Sequence, residues 1–385
     1  MHQIRRMRAR FAEDQELLRR SAAEFFASEC PVTALRRDLD AHQGRAARIP
    51  ADTWKRLAEL GWLGLALPVE HGGGGLGLVE LAIALEEAGR VLLPGPFLAT
   101  SVFGGLALAR VGRPEQQRAL LPRIADGSLR VGFALAEGDG GWDPARLALG
   151  VQRRGGALEL RGEKRFALDA ELADLVLVAA RDEDGAPAAW LVPTAAPGLA
   201  LQPTALLDPT RSVAALHFDG VHVDADMRLG DAGAGVSALE GVLDLARVAL
   251  SAEACGGARR ALELALAHAR AREQFGRPIG SFQAIQHKCA DMLVRVETAV
   301  SAAYTAAFAV EHGEPDAHAS ACLAKATCAD AFRRVAGDAI QIYGGLGFTW
   351  EQDPQLYYKR ARSTEALLGD GAWHYELAAR VLLDG

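Results

Sequence analysis

Hydrophobic positions along this chain change their period twice. In "ADTWKRLAELGWLGLALP", Trp54, Leu57, Leu60 and Leu63 recur at helical intervals, and "VELAIALEEAGRVLL" keeps the same spacing. From Val131 to Val223 the runs shorten. "VGFALAE", "LALGVQR", "ALELRG", "DLVLVAAR", "AAWLVP" and "VAALHF" are divided by Gly, Asp and Pro clusters, which predicts short strands in a β-barrel or sandwich. Beyond about Gly235 the helical period returns and lengthens. Ile285, Cys289, Met292, Leu293, Val296, Val300, Tyr304 and Phe308 share one face, and Leu323, Phe332, Val335 and Ile340 share another between Asp316 and Tyr343. Long amphipathic helices joined by short turns predict an antiparallel bundle. The expected fold is mainly α with a β middle domain: an N-terminal helical domain over 1–127, a β-barrel over 128–232 and a C-terminal four-helix bundle over 233–385.

Two loops break this pattern in ways that ask for a reason. "VEHGGGGLG" (Val69 to Gly77) has four consecutive glycines, which permit positive φ and close backbone approach. It reads either as a flexible connection or as the lining of a ligand entrance. "AREQFGRPIGSFQ" (Ala271 to Gln283) separates two long helical stretches, yet holds residues that a plain helical hairpin does not need.

Composition narrows the classes. The chain has 385 residues, half of them hydrophobic and a quarter charged, an ordinary soluble globular balance. A formal charge of −7 argues against nucleic acid as a bulk partner, since phosphate binding needs a basic surface. The opening "MHQIRRMRARFAEDQELLRR" lacks the apolar core of a signal peptide and reads as a solvated amphipathic helix. No uninterrupted apolar run approaches the ~18 residues that span a bilayer. Cys30, Cys255, Cys289, Cys322 and Cys328 are scattered and odd in number, which predicts free thiols in a reducing cytoplasm and no metal site. No GxGxxG follows a strand and opens a helix, so a Rossmann dinucleotide site is not expected.

The order α, β, α-bundle, with "RAREQFGRPIGSFQAIQHKCADM", "QIYGGLGFTWE", "LPVEHGGGGLG" and "ALAEGDGGWDP" in sequence, resembles the acyl-CoA dehydrogenases over nearly the whole chain. The resemblance implies FAD, an acyl-CoA thioester substrate, and a turn that reaches across a subunit interface to a neighbour's cofactor. By resemblance Arg272 supplies a bidentate cation to the pyrophosphate, which suits its rigid donor fork. Gln274 and Gln283 supply hydrogen bonds, Phe275 and Phe282 pack near the adenosine, and Gln341, Ile342, Gly344 and Gly345 make the adenine-side contact. The implied chemistry is α,β-desaturation, in which a carboxylate base removes the α-proton and the β-hydrogen leaves to the flavin. An electron-transfer flavoprotein is the implied acceptor, and a dimer of dimers the implied assembly.

Several positions depart from the family pattern. Its usual base, a Glu near the C-terminus, falls on Leu368. The alternative base, on the first long helix of the bundle, falls on Ala246 in "LDLAR". Asp370 remains a candidate, although an Asp before a terminal helix is also an ordinary N-cap. Glu365 and Asp244 are weaker candidates, and Asp244 with Arg247 matches a pair that shapes the substrate pocket. At the flavin ring, the family's threonine is Ala136, and its stacking strand reads Phe166, Ala167, Leu168. Residues that serve a neighbour's FAD are therefore intact, while those for this chain's own ring and base are eroded. That asymmetry suits one subunit of a heteromeric dehydrogenase. A homomeric acyl-CoA or acyl-carrier dehydrogenase or oxidase with an unusual base, or a scaffold subunit, are the alternatives. The small residues of "SAEACGG" (Ser251 to Gly257) read either as room for a bulky acyl group or as a close helix contact.

Overall fold

The computed structural model describes residues 11–42, 45–138, 140–231 and 235–384. The first ten residues, read above as part of a solvated helix, lie outside them. The N-terminal region holds α1 (Glu13–Glu29), α2 (Val32–Ala41), α3 (Ala51–Glu59) and α4 (Leu78–Arg90). There follow α5 (Phe97–Ala99), a π-helical stretch (Thr100–Leu106), α6 (Ala107–Val111) and α7 (Pro114–Ala125). In α3, Trp54 and Leu57 are buried as the period predicts, but the helix ends at Glu59 and Leu60 is exposed. Gly61, at φ +77°, reverses the chain so that Leu63 reaches the same core from beyond the helix.

The glycine loop is not slack. Gly73 N–H bonds to Pro68 O, Gly74 N–H to Gly64 O and Gly75 N–H to Leu67 O. A Cβ on Gly73 would lie 2.2 Å from Leu67 O. These glycines let two backbone segments touch.

The middle region contributes β1 (Val131–Ala134), β2 (Val151–Arg154), β3 (Ala157–Leu168), β4 (Leu175–Arg181), β5 (Pro187–Pro193), β6 (Leu199–Pro203) and β7 (Val213–His222). They form one seven-stranded sheet in the order β5-β4-β1-β3-β7-β6, with β2 also on β3, and only the β1–β4 pair is parallel. One face encloses a core of Val151, Leu160, Val176, Val178, Trp190, Leu216, Phe218 and Val221. The other face of β4 and β5, through Leu177, Ala179 and Leu191, packs on the helical core. β5 and β6 stand at the two ends of this order and are not paired with each other, with isolated bridges Trp190–Arg228 beside β5 and Gly150–Arg181 beside β4.

The rest is α8 (Gly235–Ala271), a hairpin of β8 (Glu273–Gln274) and β9 (Arg277–Pro278), α9 (Gln283–His312), α10 (Ala317–Tyr343), α11 (Pro354–Ala366) and α12 (Gly371–Asp384). α10 packs against α8, α9, α11 and α12, and α4 lies along α8. α9 is long and apolar enough to cross a membrane by length and composition. In this fold it lays Met292, Val296, Ala299 and Ala303 into the bundle core. The small residues of "SAEACGG" make the close helix contact. A Cβ on Gly256 would lie 1.8 Å from Glu86 O, one on Gly89 2.1 Å from Glu253 O, and one on Gly257 2.3 Å from the Phe332 ring. They provide no space for a bulky acyl group.

A buried charge network joins the three regions. Arg360 on α11 donates to Glu253 of α8 at 2.5 Å and to Thr210 Oγ1 at 2.8 Å, and it also reaches Asp208, Leu92 O and Leu93 O. Arg211 donates to the other Glu253 oxygen at 2.6 Å. Burial pushes Asp208 up, but Arg360 and Arg211 outweigh it and hold the carboxyl below its ordinary range. Because the α4–α8 contact admits no side chain, Gly256→Val should destabilise the chain by at least about 1–3 kcal/mol, the usual cost of overpacking. Urea unfolding followed by circular dichroism measures it, and an unchanged midpoint would refute the contact.

Candidate active site

A cleft of about 390 Å³ opens where the middle sheet meets α11 and α12. Leu135, Glu137, Trp142 and Leu147 form one side, and Ala366, Gly369, Asp370 and Trp373 the other. An apolar recess of about 180 Å³ adjoins it, walled by Phe166, Leu206, Val213 and Leu367, with Arg211 and Ser363 at its edge. Phe166 reaches this recess because of a bulge. The β3–β7 register shifts between Lys164 and Ala167, and Phe166 takes φ +54°. A bulge of this kind re-aims a side chain beside a site. Arg165 N–H then bonds Ala136 O at 2.7 Å and ties the bulge to the end of β1.

The three carboxylates that line the cleft among the described residues are held by backbone N–H groups. Glu137 accepts from Ala148 N at 2.7 Å, Leu149 N at 3.0 Å and Lys164 Nζ at 2.5 Å. Its partial burial acts upward, and these donors outweigh it to lower its pKa. Burial in turn pulls Lys164 down to about 8. Asp143 accepts from Ala145 N, and Asp370 from Trp373 N at 2.9 Å. Asp370 is thus the N-cap of α12. Glu365 is paired with Arg333 at 3.1 Å and Arg362 at 2.5 Å. The two expected base positions are sealed in the apolar core: Leu368 is 3% exposed and Ala246 is 0% exposed. Leu368 also sits at φ +63°, which costs a non-glycine residue about 1–2 kcal/mol.

Asp244 and Arg247 belong to a denser cluster than the sequence disclosed. Arg247 NH1 donates to Asp244 at 2.6 Å and to Glu240 at 3.1 Å, and its guanidinium lies 5.7 Å from the Trp373 ring centre. His318 Nδ1 bonds Asp244 at 2.9 Å, and Cys322 Sγ lies 3.9 Å from His318 Nε2. Asp244, His318 and Cys322 lie close enough for a metal ion. The hydrogen bond that His318 Nδ1 donates to Asp244 raises its pKa to about 10. The arrangement is an ion cluster. The i,i+4 spacing of His318 and Cys322 was visible in "HASACLAK", but their partner on another helix was not. Lys325 and His374, beneath the same turn, gave no sequence signal.

The motif residues gather at the other end of the bundle. His268 on α8 stacks on Tyr343 of α10 at 4.0 Å, which sets the hairpin beside Gln341, Gly344 and Gly345. The hairpin turns through Phe275 at φ +56° and Gly276 at φ +77°, the positive pair that a two-residue hairpin requires. Phe275 is 91% exposed, and Arg272, Gln274, Gln283 and Gln341 are exposed too, while Phe282 is half-buried and Ile342 buried. Through its guanidinium Arg272 makes no hydrogen bond or ion pair among the described residues. A Cβ on Gly344 or Gly345 would meet nothing within 4 Å. From Ala246 to Ala271 the rise of α8 alone is about 38 Å. The structure does not bring the motif end and the cleft together within one chain.

This chemistry can be tested for fit to FAD. An unpaired guanidinium, exposed amides and bare glycine backbone suit a pyrophosphate and an adenine. The Phe166 face and the apolar recess suit a flavin ring in stacking. The ring's polar edge finds no side-chain hydroxyl at Ala136 or Leu168.

The N-terminal domain of acyl-CoA dehydrogenases matches residues 12–128, the middle domain 132–221 and the C-terminal domain 233–383. The chain belongs to the acyl-CoA dehydrogenase family. Its members are FAD-using oxidoreductases that act on CH–CH donors. Similar proteins include acyl-CoA dehydrogenase FadE12 of Mycobacterium tuberculosis, 32% identical over 88% of each chain. The Tcur3481–Tcur3483 steroid ACAD structure is 32% identical with a TM-score of 0.86, covering 97% of this chain and 98% of that one. The ChsE4–ChsE5 complex from M. tuberculosis is 28% identical with a TM-score of 0.87, covering 98% and 99%.

Two outcomes are expected. As an N-cap, Asp370→Ala should cost about 1 kcal/mol of stability and Asp370→Asn close to nothing, read from thermal unfolding. A large loss in the Asn variant would point to a role for the charge itself. His318, raised above its ordinary 6.5 to about 10, gives stability that is full below about pH 6.5 and disappears as pH rises through 10. Asp244→Asn should therefore flatten the fall of the urea midpoint between pH 7 and 9.5. A slope equal to the wild type would remove the Asp244–His318 pair from the account.

Proposed function

We propose that this chain is one subunit of a heteromeric FAD-dependent acyl-CoA dehydrogenase, whose partner carries the catalytic Glu. The observation that carries this reading is a division along α8. At one end lies an intact, exposed set of pyrophosphate and adenine residues. About 38 Å back along α8 is Ala246, which with Leu368 stands where the family's base is expected, and both are buried in the apolar core behind this chain's own cleft. Exposed Phe275, Leu346, Phe348 and Trp350 around the motif end make an apolar surface of the kind that another subunit covers. The similar ChsE4–ChsE5 structure is a complex, which supports the same arrangement.

In this reading Arg272 holds the pyrophosphate of the partner's FAD, Gln274, Gln283 and Gln341 orient it, and Gly344 and Gly345 allow close approach. FAD, when bound, supplies the electron-accepting chemistry. This chain contributes cation, amide and shape, and the proton is removed by the partner's carboxylate. An acyl-CoA thioester is the substrate and an electron-transfer flavoprotein the acceptor. In this reading Asp370 serves as the cap of α12, and its bond from Trp373 N supports that role.

The decisive experiment is co-expression with a Glu-bearing family member and flavin absorbance after gel filtration. Arg272→Ala in this chain should strip FAD from a complex whose base lies on the other chain. Loss of a desolvated charge partner costs about 2–5 kcal/mol, roughly a 30- to 4,000-fold fall in affinity. The matching change in the partner should matter much less. Equal FAD loss from both variants would reject the division of labour.

A further inference from the structure

The turn from Leu367 to Asp370 forms a wall of the cleft. Ala366, Gly369, Asp370 and Trp373 face the space, and Leu368 plugs the side behind it. Two successive residues of the turn are left-handed, Leu368 at φ +63° and Gly369 at φ +98°. A leucine keeps that conformation only when its surroundings over-determine it. Within the turn the restraint is modest: Gly369 N–H bonds Ala366 O at 3.2 Å, and Asp370 caps the next helix.

The remaining restraint comes from α10. Lys325 is 1% exposed, and its Nζ donates to Glu365 O at 2.8 Å and to Gly369 O. The first acceptor lies in the last turn of α11, where helix geometry leaves carbonyls without partners and concentrates negative potential. The second is the carbonyl of the left-handed glycine itself. One ammonium therefore joins the end of α11 to the far side of the turn. His374, on α12, is 0% exposed, and its ring approaches the Leu368 backbone without either nitrogen reaching full hydrogen-bond geometry. Burial, then the Lys325 and Arg247 charges, push its pKa down to about 2, so a neutral ring borders the ammonium. The charged groups facing Lys325 are Glu365 from α11, Asp370 from the turn and Arg247 from α8.

We infer that Lys325 is the positioning residue of this site, its ammonium clasping the Leu367–Asp370 turn in the left-handed form that shapes the cleft wall. The clasp stands on geometry alone, and only its consequence for thioester binding rests on the proposed function. Burial draws Lys325 down to about 7, so the clasp loses its charge as pH rises through that value.

Hydrogen–deuterium exchange of the full chain tests it. In Lys325→Met the amides of Gly369, Trp373 and His374 should exchange about tenfold faster or more, as expected for loss of a charge-assisted hydrogen bond, with the α9 amides unchanged. Lys325→Arg, which keeps a cation, should recover part of the protection. Unchanged exchange at the turn, or faster exchange spread evenly over the chain, overturns the inference. Should the Met variant fail to fold, the wild type still decides. Its turn exchange, corrected for the chemical rate, should be slow at pH 6 and accelerate as pH rises through about 7, and turn amides that exchange at the free-chain rate at pH 6 overturn the clasp. Calorimetry with hexanoyl-CoA supplies the functional arm: about tenfold weaker binding in Lys325→Met, mostly restored in Lys325→Arg. If wild-type protein does not bind hexanoyl-CoA, the thioester reading falls while the exchange data still decide the role of Lys325.

Discussion

Glu253 is the residue through which the three regions of this protein are held together. Its two carboxylate oxygens take Arg360 of α11 and Arg211 of the loop before β7, and Arg360 also grips Leu92 O and Leu93 O after α4. Charges so deeply buried are tolerable only when paired, and removing one partner of such a group costs on the order of 3–5 kcal/mol. Arg211 and Ser363, which border the recess beneath Phe166, are fixed by this network. The floor of the cleft is therefore set by the same contacts that join the domains. Asp169 completes the surroundings: burial raises it to about 7 against the pull of Arg211 and Arg360.

α8 converts that junction into a ruler. Its middle is pressed against α4 at Gly256, with no room for a side chain at the contact. With its middle fixed, the helix must carry its C-terminal end far from the cleft, because an α-helix cannot shorten. The hairpin at that end then presents Arg272, Gln274 and Phe275 outward, with only local contacts among the described residues, Phe275 against the Phe282 ring and Gln274 on Glu273 O. In the proposed reading a ligand that needs both ends is held by two chains. In the same reading the base is absent at Leu368 and Ala246 while that distant end is intact, so the two halves of the machinery can change independently.

Much of this was legible in one dimension. The changes in hydrophobic period marked the helices and the strand region, because burial on one face imposes a period wherever an element packs. The motif turn and the vacant base positions were also legible, since they depend on which residue stands at which place. The Asp370 cap could be read as a local event within one turn of helix.

What the chain order could not decide is anything that depends on groups meeting from different elements. "SAEACGG" fitted either a roomy pocket or a tight contact until α4 was seen lying against it, and "VEHGGGGLG" could be read as slack until its amides were seen bonding Gly64, Leu67 and Pro68. Leu60 kept the helical period yet is exposed, because α3 ends before it. Asp244 with His318, and Lys325 with Gly369, join residues that lie far apart along the chain. Residue identity and spacing determined the family and the elements. Only the tertiary structure decided which polar groups would be buried together, because the energy of a buried charge depends on what the fold places beside it.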